Sequence, residues 1–346
     1  MKVACFTALR QIELVDAPEP LLQRPGDVLL QIDRVGICGS DVHYYLDGRI
    51  GDQVLQYPAT LGHECSGTVL ETGSAVQALK AGDRVAVDPA FPCGECDQCL
   101  GGRSHTCRRL LFMGSPGQAP GGLAERYVAP AVCCTAIPAS MSLGEAMLVE
   151  PLSIGLHAVR LSQLAAGMKI AVLGAGPIGL SVLLCAKATA PCTAWVTDLL
   201  DERLAVARQC GADAVLNPRR GNVVASIAQT EPLGLDLVFE CSGDAACVEQ
   251  GQSLLRPGGA LMMVGIPPVD AVVFDPHRMR RFELRFQAVR RQNGCVAPVI
   301  RLIADRRLDA LPLLSHRFPL HEISAAFDLV AGYRDGVVKA VVDVSK

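Results

Sequence analysis

Short apolar stretches separated by turn residues dominate the first part of the chain, up to about residue 152. The segments DVLLQIDRVGI, SGTVLETG and GDRVAVDPA each end at or near glycine, proline or aspartate. Apolar runs of this length, bounded by turn residues, are typical of β-strands. We therefore predict a β-rich first domain over residues 1–152.

The pattern changes near Met168, where strand-like and helix-like segments begin to alternate. The strand-like segments are KIAVLG, AWVTD, AVLNP, LDLVFECSG and GGALMMVGIP, and helix-length segments such as DERLAVARQCGAD separate them. This alternation predicts a parallel sheet with right-handed crossovers and helices on both faces. We predict this second domain over residues 153–288, and a return to the first domain over residues 289–346. The predicted fold class is α/β, with a β-rich domain and a doubly wound parallel sheet.

Composition and charge exclude several classes of protein. The chain has 346 residues, half of them hydrophobic, which is enough for two domains with cores and argues against disorder. Thirty-two basic and thirty-five acidic residues give a net charge of −3 without a basic stripe, so we expect no nucleic-acid partner. The uncharged stretch 170–186 is interrupted by glycine and proline and is shorter than the ~20 residues of a membrane helix. Since the first residues lack a signal-peptide pattern, we expect a cytoplasmic protein without a membrane partner.

A glycine-rich turn follows the strand-like segment KIAVL directly. Gly174, Gly176 and Gly179 form the pattern G-x-G-x-x-G, with Pro177 and Ile178 before the last glycine. A helix-length segment follows. In this context the backbone can approach a pyrophosphate, and the helix dipole faces that anion. The sequence therefore predicts a dinucleotide-binding turn made of these five residues.

An acidic residue closes the next predicted strand. Asp198 lies nineteen residues after Gly179, and its carboxylate can accept hydrogen bonds from both ribose hydroxyls while repelling a 2′-phosphate. The pattern therefore favours NAD over NADP. For Arg203 two interpretations stay open: a solvated helix residue, or a side chain that stacks or pairs near the adenosine.

Four of the fifteen cysteines lie within one short loop that is rich in glycine. Because the sequence shows no export signal, we expect reduced thiols. Cys93, Cys96, Cys99 and Cys107 follow the spacing C-x2-C-x2-C-x7-C, and four thiolates with no open position predict a structural zinc site. The comparable iron–sulfur pattern has three residues before its last cysteine and a proline after it, whereas seven residues and Arg108 occupy those positions here.

A second group of possible metal ligands comes from two separate segments. Cys38 lies in GICGSDVHYY, and His63 and Glu64 lie in GHECSG, so the two turns offer a thiolate, an imidazole and a carboxylate. No spacing rule brings these residues together. Taken singly, Cys38 is also consistent with a buried core residue, and His63 with a hydrogen-bonded turn histidine.

Several segments taken together are specific enough to carry a family resemblance. They are GICGSDVHYYLDGRIGD, YPATLGHECSGTV, AGDRVAVDP, CGECDQC, EPLSIGLHA, VLGAGPIGL, VTDLLDERL and SHRFPLHEISAAF. With these segments the chain resembles the zinc-dependent medium-chain dehydrogenases, and within them the sorbitol and other polyol dehydrogenases. The resemblance covers nearly the whole chain. It implies a GroES-like catalytic domain built from both chain ends and a Rossmann domain between them.

The resemblance also implies the cofactors and the metal ligands. It implies NAD together with one catalytic and one structural zinc ion per chain. The catalytic ion would be held by Cys38, His63 and Glu64, with Glu150 in or beside the coordination shell. Asp41 would accept the other imidazole proton of His63 and fix its ring, although a turn cap is an alternative role for this residue.

The activity implied by the resemblance is hydride transfer from a secondary alcohol of a polyol or sugar-derived substrate to NAD, which gives a ketose or ketone. Zinc would act as a Lewis acid on the substrate hydroxyl. Ser40 would take the hydroxyl proton and pass it towards His43 and water, although a turn hydroxyl and a surface histidine are alternatives. Tyr45, Phe112 and Arg290 would contact the substrate. Phe112 is also consistent with a core residue, and Arg290 with a solvated strand residue.

One departure from the polyol dehydrogenases leaves the substrate open. Arg291 follows Arg290 where many of those enzymes have tyrosine, and a second cation would favour a carboxylated substrate such as a sugar acid. An L-threonine-type dehydrogenase is a further alternative within the superfamily. An alternative from another class is a dinucleotide-binding sensor without catalytic metal, although its metal-free relatives lack the ligand set. The family resemblance suggests a homotetramer that acts on a small molecule.

Overall fold

The computed structural model describes residues 1–345, and within them the chain forms nineteen strands and ten α-helices. The strands are β1 Lys2–Ala8, β2 Gln11–Asp16, β3 Asp27–Gly36, β4 Arg49–Ile50, β5 Gln53–Val54, β6 Glu64–Thr72, β7 Arg84–Val87, β8 Ala90–Phe91, β9 Leu111–Phe112, β10 Arg126–Pro130, β11 Cys134–Ala136, β12 Lys169–Leu173, β13 Thr193–Thr197, β14 Ala214–Leu216, β15 Leu235–Glu240, β16 Leu255–Met263, β17 Arg285–Ala288, β18 Leu314–Pro319 and β19 Lys339–Asp343. The helices are α1 Gly39–Asp47, α2 Asp97–Leu100, α3 Leu143–Ser162, α4 Pro177–Thr189, α5 Asp201–Gln209, α6 Val223–Thr230, α7 Ala245–Leu254, α8 Pro276–Phe282, α9 Val296–Ala304 and α10 Ile323–Ala331.

The chain divides into two compact units, and the first division falls inside α3. The first unit contains Met1–Glu150, Val296–Ala304 and the residues from Leu314 onward. The second unit contains Pro151–Cys295 and Asp305–Leu313. The segment predicted to return to the first domain is thus shared, because its residues 289–295 and 305–313 lie in the second unit.

The first unit is built on a largely antiparallel sheet with the strand order β11-β7-β6-β3-β19-β18, and β10 also pairs with β3. At the end of β3, Gly36 pairs with Glu64 of β6 on one side and with Val341 of β19 on the other. The last strand of the described chain therefore lies one strand away from β6, where the predicted ligands His63 and Glu64 are found.

Helix α1 packs its inward face into the core of this unit. Rings of Phe6, Tyr45 and Phe327 contact one another, with centroid distances of 5.2 and 6.3 Å. The segment GICGSDVHYY, which carries Cys38, was predicted to be a turn, but helix α1 begins within it at Gly39. Since helical residues three and four apart share one face, Asp41, Tyr44 and Tyr45 are all buried.

The second unit contains a six-stranded, all-parallel sheet with the order β14-β13-β12-β15-β16-β17. Numbered along the sheet's own chain order, this is 3-2-1-4-5-6, the arrangement of a Rossmann fold. Strand order reverses between β12 and β15, and ligands of such sheets bind beyond the carboxyl ends of the strands at that point. The predicted α/β class, with a β-rich domain and a doubly wound parallel sheet, is confirmed. No helix within the described residues has the length and apolar character that crossing a bilayer requires.

Candidate functional site

Asp41, in the first turn of α1, connects the two segments that carry the predicted metal ligands. Its carboxylate accepts hydrogen bonds from the backbone N–H of Cys38 at 3.1 Å and of Gly62 at 3.4 Å. The Nδ1 atom of His63 lies 3.4 Å from Oδ1 of Asp41. Asp41 therefore caps α1 and also holds the imidazole, so Nε2 is the ring nitrogen left for a metal.

His63 is buried in a site that favours positive charge. Burial alone would lower the pKa of His63, but the charges of Asp41 and Cys38 outweigh it and raise that pKa well above its usual value. The ring of Phe112 packs against the imidazole, with the two centroids 5.2 Å apart. The structure thus brings Cys38, His63 and Asp41 together and places Phe112 beside them.

Glu64 forms a buried ion pair that the sequence did not predict. Its Oε1 accepts a hydrogen bond from Nζ of Lys339 at 2.6 Å, and each side chain is only 1% exposed. Lys339 also donates to the carbonyl of Ile37 at 3.0 Å. Burial would lower the pKa of Lys339, but the charge of Glu64 raises it. The lysine therefore stays protonated and neutralises one of the predicted metal ligands.

Gly36 leaves room for the Glu64 carboxylate. A Cβ atom at this position would lie 2.2 Å from Oε2 of Glu64 and 2.6 Å from Sδ of Met147. Any other residue would push the carboxylate away from its present place. The glycine before Ile37 and Cys38 is thus required by a close approach and not by its backbone angles.

Two buried carboxylate oxygens at this site are without a hydrogen-bond partner among the described residues: Oε2 of Glu64 and Oε2 of Glu150. Burial, the largest effect, raises the pKa of Glu150 to about 7, and the charge of Glu64 acts in the same direction, while His63 and Lys339 oppose both. Buried carboxylate oxygens are costly unless paired or bound to a cation. Thiolate, imidazole and carboxylate are also the donors that zinc takes, so these residues fit a zinc ion in their chemistry.

A distance criterion separates the two predicted metal centres. Within residues 1–345, a single group of at least three His, Cys, Asp or Glu residues has all its ligand atoms within 4.8 Å of one another, and it consists of the four loop cysteines. Cys38, His63, Glu64 and Glu150 do not meet this criterion. Glu64 has one oxygen bound to Lys339, so its coordination of a metal would use Oε2 or require the ion pair to open.

The four cysteines of the loop approach one another as a tetrahedral zinc site requires. The Sγ atoms of Cys93 and Cys107 are 3.4 Å apart, and Cys96 lies 3.6 Å from Cys99 and 3.8 Å from Cys107. A regular tetrahedron with Zn–S bonds of about 2.3 Å has edges of about 3.8 Å. Backbone hydrogen bonds, the strongest from Glu95, lower the pKa of Cys93 to about 6 and favour its thiolate. The loop fits a closed zinc site in both geometry and chemistry.

The residues predicted to move a proton lie on the outer part of α1. Ser40 is half-buried in its first turn. The side chain of His43, three residues later, is 38% exposed, and its Nδ1 lies 3.6 Å from Oδ2 of Asp47. Residues three apart on a helix are neighbours, so a hydroxyl and a solvent-exposed imidazole lie on the same side of α1.

The side chains predicted to contact substrate have different surroundings. Tyr45 is 2% exposed, and its hydroxyl donates to Oδ1 of Asp328 at 2.8 Å. Its packing against Phe6 and Phe327 places it in the hydrophobic core, so the structure gives no support to a substrate contact by Tyr45. Arg290 is exposed and follows β17.

The glycine turn of the second unit requires glycine at two of its three positions. Gly174 has φ of 101°, which favours glycine, and a Cβ at Gly179 would lie 1.8 Å from the carbonyl oxygen of Gly174. Gly176 is the residue before α4, and Pro177 and Ile178 form its first turn. The N-terminal N–H groups of α4 therefore face the end of β12, as a pyrophosphate-binding turn requires.

The predicted ribose and adenosine contacts both lie against this turn. The carboxylate of Asp198 accepts hydrogen bonds from the N–H of Ala175 at 2.8 Å and of Leu200 at 2.9 Å. Arg203 is buried, and its Nη1 lies 3.7 Å from the position of a Cβ at Gly176. The structure excludes the solvated interpretation of Arg203, since its guanidinium lies beside the glycine turn.

Comparisons with known proteins agree with this fold. The family described as alcohol dehydrogenase GroES-like domain matches residues 24–139, and the family described as zinc-binding dehydrogenase matches residues 177–305. Sorbitol dehydrogenase from Bacillus subtilis (strain 168) is 33% identical over 99% of this chain and 97% of its own length. The chain therefore belongs to the zinc-dependent medium-chain dehydrogenases, the family of the sorbitol dehydrogenases, and is an oxidoreductase.

Solved structures of the family have the same fold over their whole length. An Escherichia coli oxidoreductase of unknown specificity superimposes with a TM-score of 0.92 at 33% identity, covering 100% of this chain and 99% of that one. A zinc-binding dehydrogenase from Sinorhizobium meliloti 1021, bound to NADP, gives a TM-score of 0.91 at 31% identity with 99% of both chains covered. Because this relative binds NADP, membership of the family does not by itself decide between NAD and NADP.

Replacement of one loop cysteine tests the structural zinc site. We expect Cys96→Ser to remove about one zinc ion per chain and to lower Tm by at least about 5 °C, because a closed zinc site contributes folding energy. Metal analysis and thermal unfolding measure both effects. Cys192→Ser, at a half-buried cysteine of the second unit, is the control and should change neither. An unchanged zinc content in Cys96→Ser would exclude this site.

Replacement of Lys339 tests the buried ion pair. Lys339→Met leaves the Glu64 carboxylate buried without a countercharge, so the free energy of unfolding should fall by about 3 kcal/mol in urea denaturation. Lys2→Met, at an ion pair whose side chains are 51% and 80% exposed, should have almost no effect. The double variant Glu64→Gln, Lys339→Met should recover much of the loss. Equal stability of the Lys339→Met and Lys2→Met proteins would contradict the assignment.

Proposed function

We propose that this protein oxidises a secondary alcohol of a polyol or a sugar-derived substrate and transfers the hydride to NAD. The observation that carries the proposal is the contact of Asp41 with His63 next to Cys38, beside the unpartnered Oε2 atoms of Glu64 and Glu150. A nucleotide-binding sensor without metal has no need for a half-buried thiol beside a buried imidazole and two buried carboxylates, whereas zinc-assisted oxidation of an alcohol uses such donors.

The first unit supplies the groups that hold a metal and orient it. Cys38, His63 and a carboxylate of Glu64 or Glu150 would hold a zinc ion, which would supply Lewis acidity to an alcohol hydroxyl. Asp41 keeps the His63 ring in one orientation and one tautomer through Nδ1. Lys339 balances the negative charge of Glu64 inside the buried site.

The proton of the substrate hydroxyl needs a route to solvent. We assign the first step to the hydroxyl of Ser40 and the last to His43. Ser40 is close to Cys38 in sequence and half-buried, whereas His43 is on the next turn and in contact with solvent. We propose that the proton leaves the buried site by way of these two side chains.

The second unit supplies the cofactor site. The helix N-terminus at Gly176 favours the pyrophosphate, and Arg203 adds a positive charge next to it. The carboxylate of Asp198 faces the same turn and repels a 2′-phosphate, which favours NAD over NADP. NAD bound at this site would supply the hydride acceptor.

Two adjacent arginines support a second candidate substrate class. Arg290 is exposed, and Arg291 has φ of 51°, an uncommon conformation for a side chain of this size. Two guanidinium groups in succession suit a carboxylate, so a sugar acid is the alternative to a neutral polyol. L-Threonine is a further alternative, and the homotetramer and the cytoplasmic location stay predictions.

An activity panel with one active-site variant tests the proposal. We expect NADH formation, followed by absorbance, with polyols or aldonates and with NAD at least about tenfold preferred over NADP in kcat/KM. His63→Ala should lower turnover at least about 100-fold, because it removes a metal ligand, and should leave NADH binding unchanged.

The control for the panel is His316→Ala. His316 lies in the same unit as His63 but far along the chain from it, and it pairs with Asp335. This variant should keep full activity. Wild-type protein that binds zinc and NADH but oxidises no member of the panel would favour the sensor. Activity retained by His63→Ala in zinc-free buffer would reject the metal assignment.

A further inference from the structure

Glu240 ends β15, the strand next to β12 at the point where the strand order of the parallel sheet reverses. The residue is 1% exposed, although no cation contacts its carboxylate among the described residues. A buried carboxylate without a countercharge is costly unless several donors satisfy it. The hydrogen bonds that the Glu240 carboxylate accepts therefore show which part of the structure it stabilises.

Three donors of one short turn converge on a single oxygen of this carboxylate. Oε1 of Glu240 accepts hydrogen bonds from the N–H of Ser242 at 2.7 Å, from the Oγ of Ser242 at 2.6 Å and from the N–H of Gly243 at 2.9 Å. The three donors all belong to the turn 241–243, which we call the β15 turn. Glu240 therefore fixes the conformation of the β15 turn through these three hydrogen bonds.

The β15 turn lies directly against the glycine turn at the end of β12. A Cβ at Gly174 would be 3.0 Å from the backbone nitrogen and 3.1 Å from the Cα of Ser242. The N–H of Cys241 also donates to the carbonyl of Leu173 at 2.8 Å. The β15 turn therefore leaves no room for a side chain at Gly174, and its hydrogen bond to Leu173 ties it to the end of β12.

The segment that follows β16 also lies close to Glu240. A Cβ at Gly265 would lie 2.6 Å from Oε2 of Glu240 and 2.3 Å from the nitrogen of Gly243. The carbonyl of Glu240 accepts hydrogen bonds from the N–H of Val264 and of Gly265. Glu240 thus connects the carboxyl ends of three adjacent strands, the edge at which a Rossmann sheet binds its dinucleotide.

We propose that Glu240 is a positioning residue of the dinucleotide site, which acts by holding the β15 turn against the glycine turn at Gly174. The proposal rests on the proposed function, because it assumes that this edge of the sheet binds NAD. At 1% exposure Glu240 does not itself reach a ligand. Its effect passes through Ser242 and Gly243 to the backbone that surrounds the cofactor.

The test compares variants of Glu240 with a matched variant at Glu231. Glu240→Ala removes the acceptor of the Ser242 and Gly243 N–H groups, and we expect the Kd for NADH, measured by fluorescence well below Tm, to rise about tenfold. Glu240→Gln keeps an acceptor oxygen of the same size and should restore most of the affinity. When NAD is varied at a saturating concentration of the alcohol, Glu240→Ala should raise KM for NAD more than it lowers kcat.

Glu231→Ala is the matched control because Glu231 is also a buried carboxylate of the second unit. It pairs with Lys169, the first residue of β12, at the opposite end of that strand. We expect this variant to lower Tm and leave the Kd for NADH unchanged. If Glu240→Ala also lowers Tm without changing the Kd, the residue is merely structural and the proposal is wrong.

The outcome for wild-type protein separates this proposal from the proposed function. Wild-type protein that does not bind NADH would overturn the cofactor assignment itself. Wild-type protein that binds NADH with the same Kd as Glu240→Ala would overturn the positioning role alone. If Glu240→Ala does not fold, Ser242→Ala, which removes one of the three donors, should still raise the Kd about twofold to threefold, and an unchanged Kd would contradict the proposal.

Discussion

The buried ion pair between Lys339 and Glu64 is the contact on which the first unit depends. It joins two residues 275 positions apart in the chain. The same ammonium also binds the carbonyl of Ile37, so one side chain fixes the backbone just before Cys38 and the carboxylate just after His63. Strand β19 carries this lysine, so the ion pair holds the last part of the chain in the first unit. The metal-ligand segments are thus arranged by a strand that contains none of the ligands.

In both units, carboxylates accept hydrogen bonds from the backbone N–H groups of the segments that form the sites. Asp41 accepts N–H groups from the segments of Cys38 and His63, and Asp198 accepts the N–H of Ala175 within the glycine turn. Each acidic side chain orders a functional backbone segment by accepting its buried donors, and each also presents negative charge to the site. Glu240 orders backbone in the same way without presenting charge to a ligand, because its burial is complete.

Short-range sequence patterns predicted the local structure. Contacts between residues that lie far apart in the chain could not be predicted from them. The alternation of strands and helices, the G-x-G-x-x-G turn and the spacing of the four cysteines are short-range signals, and each has its counterpart in the structure. Cys38 and His63 came together only through the family resemblance. Tyr45 was assigned to the substrate through the same resemblance, whereas the helical period of α1 turns its ring towards Phe6 and Phe327 in the core. Lys339 interrupts the apolar run VVKAVV, a signal of an ion-paired lysine that went unused.

The central claim is that the first unit binds a second zinc ion, distinct from the one in the cysteine loop, through a thiolate, an imidazole and a carboxylate. Metal analysis combined with zinc K-edge X-ray absorption on the purified protein tests it most directly. The account predicts about two zinc ions per chain, one surrounded by four sulfurs and one by mixed sulfur, nitrogen and oxygen donors. About one zinc ion per chain, with sulfur as its only neighbour, would contradict it.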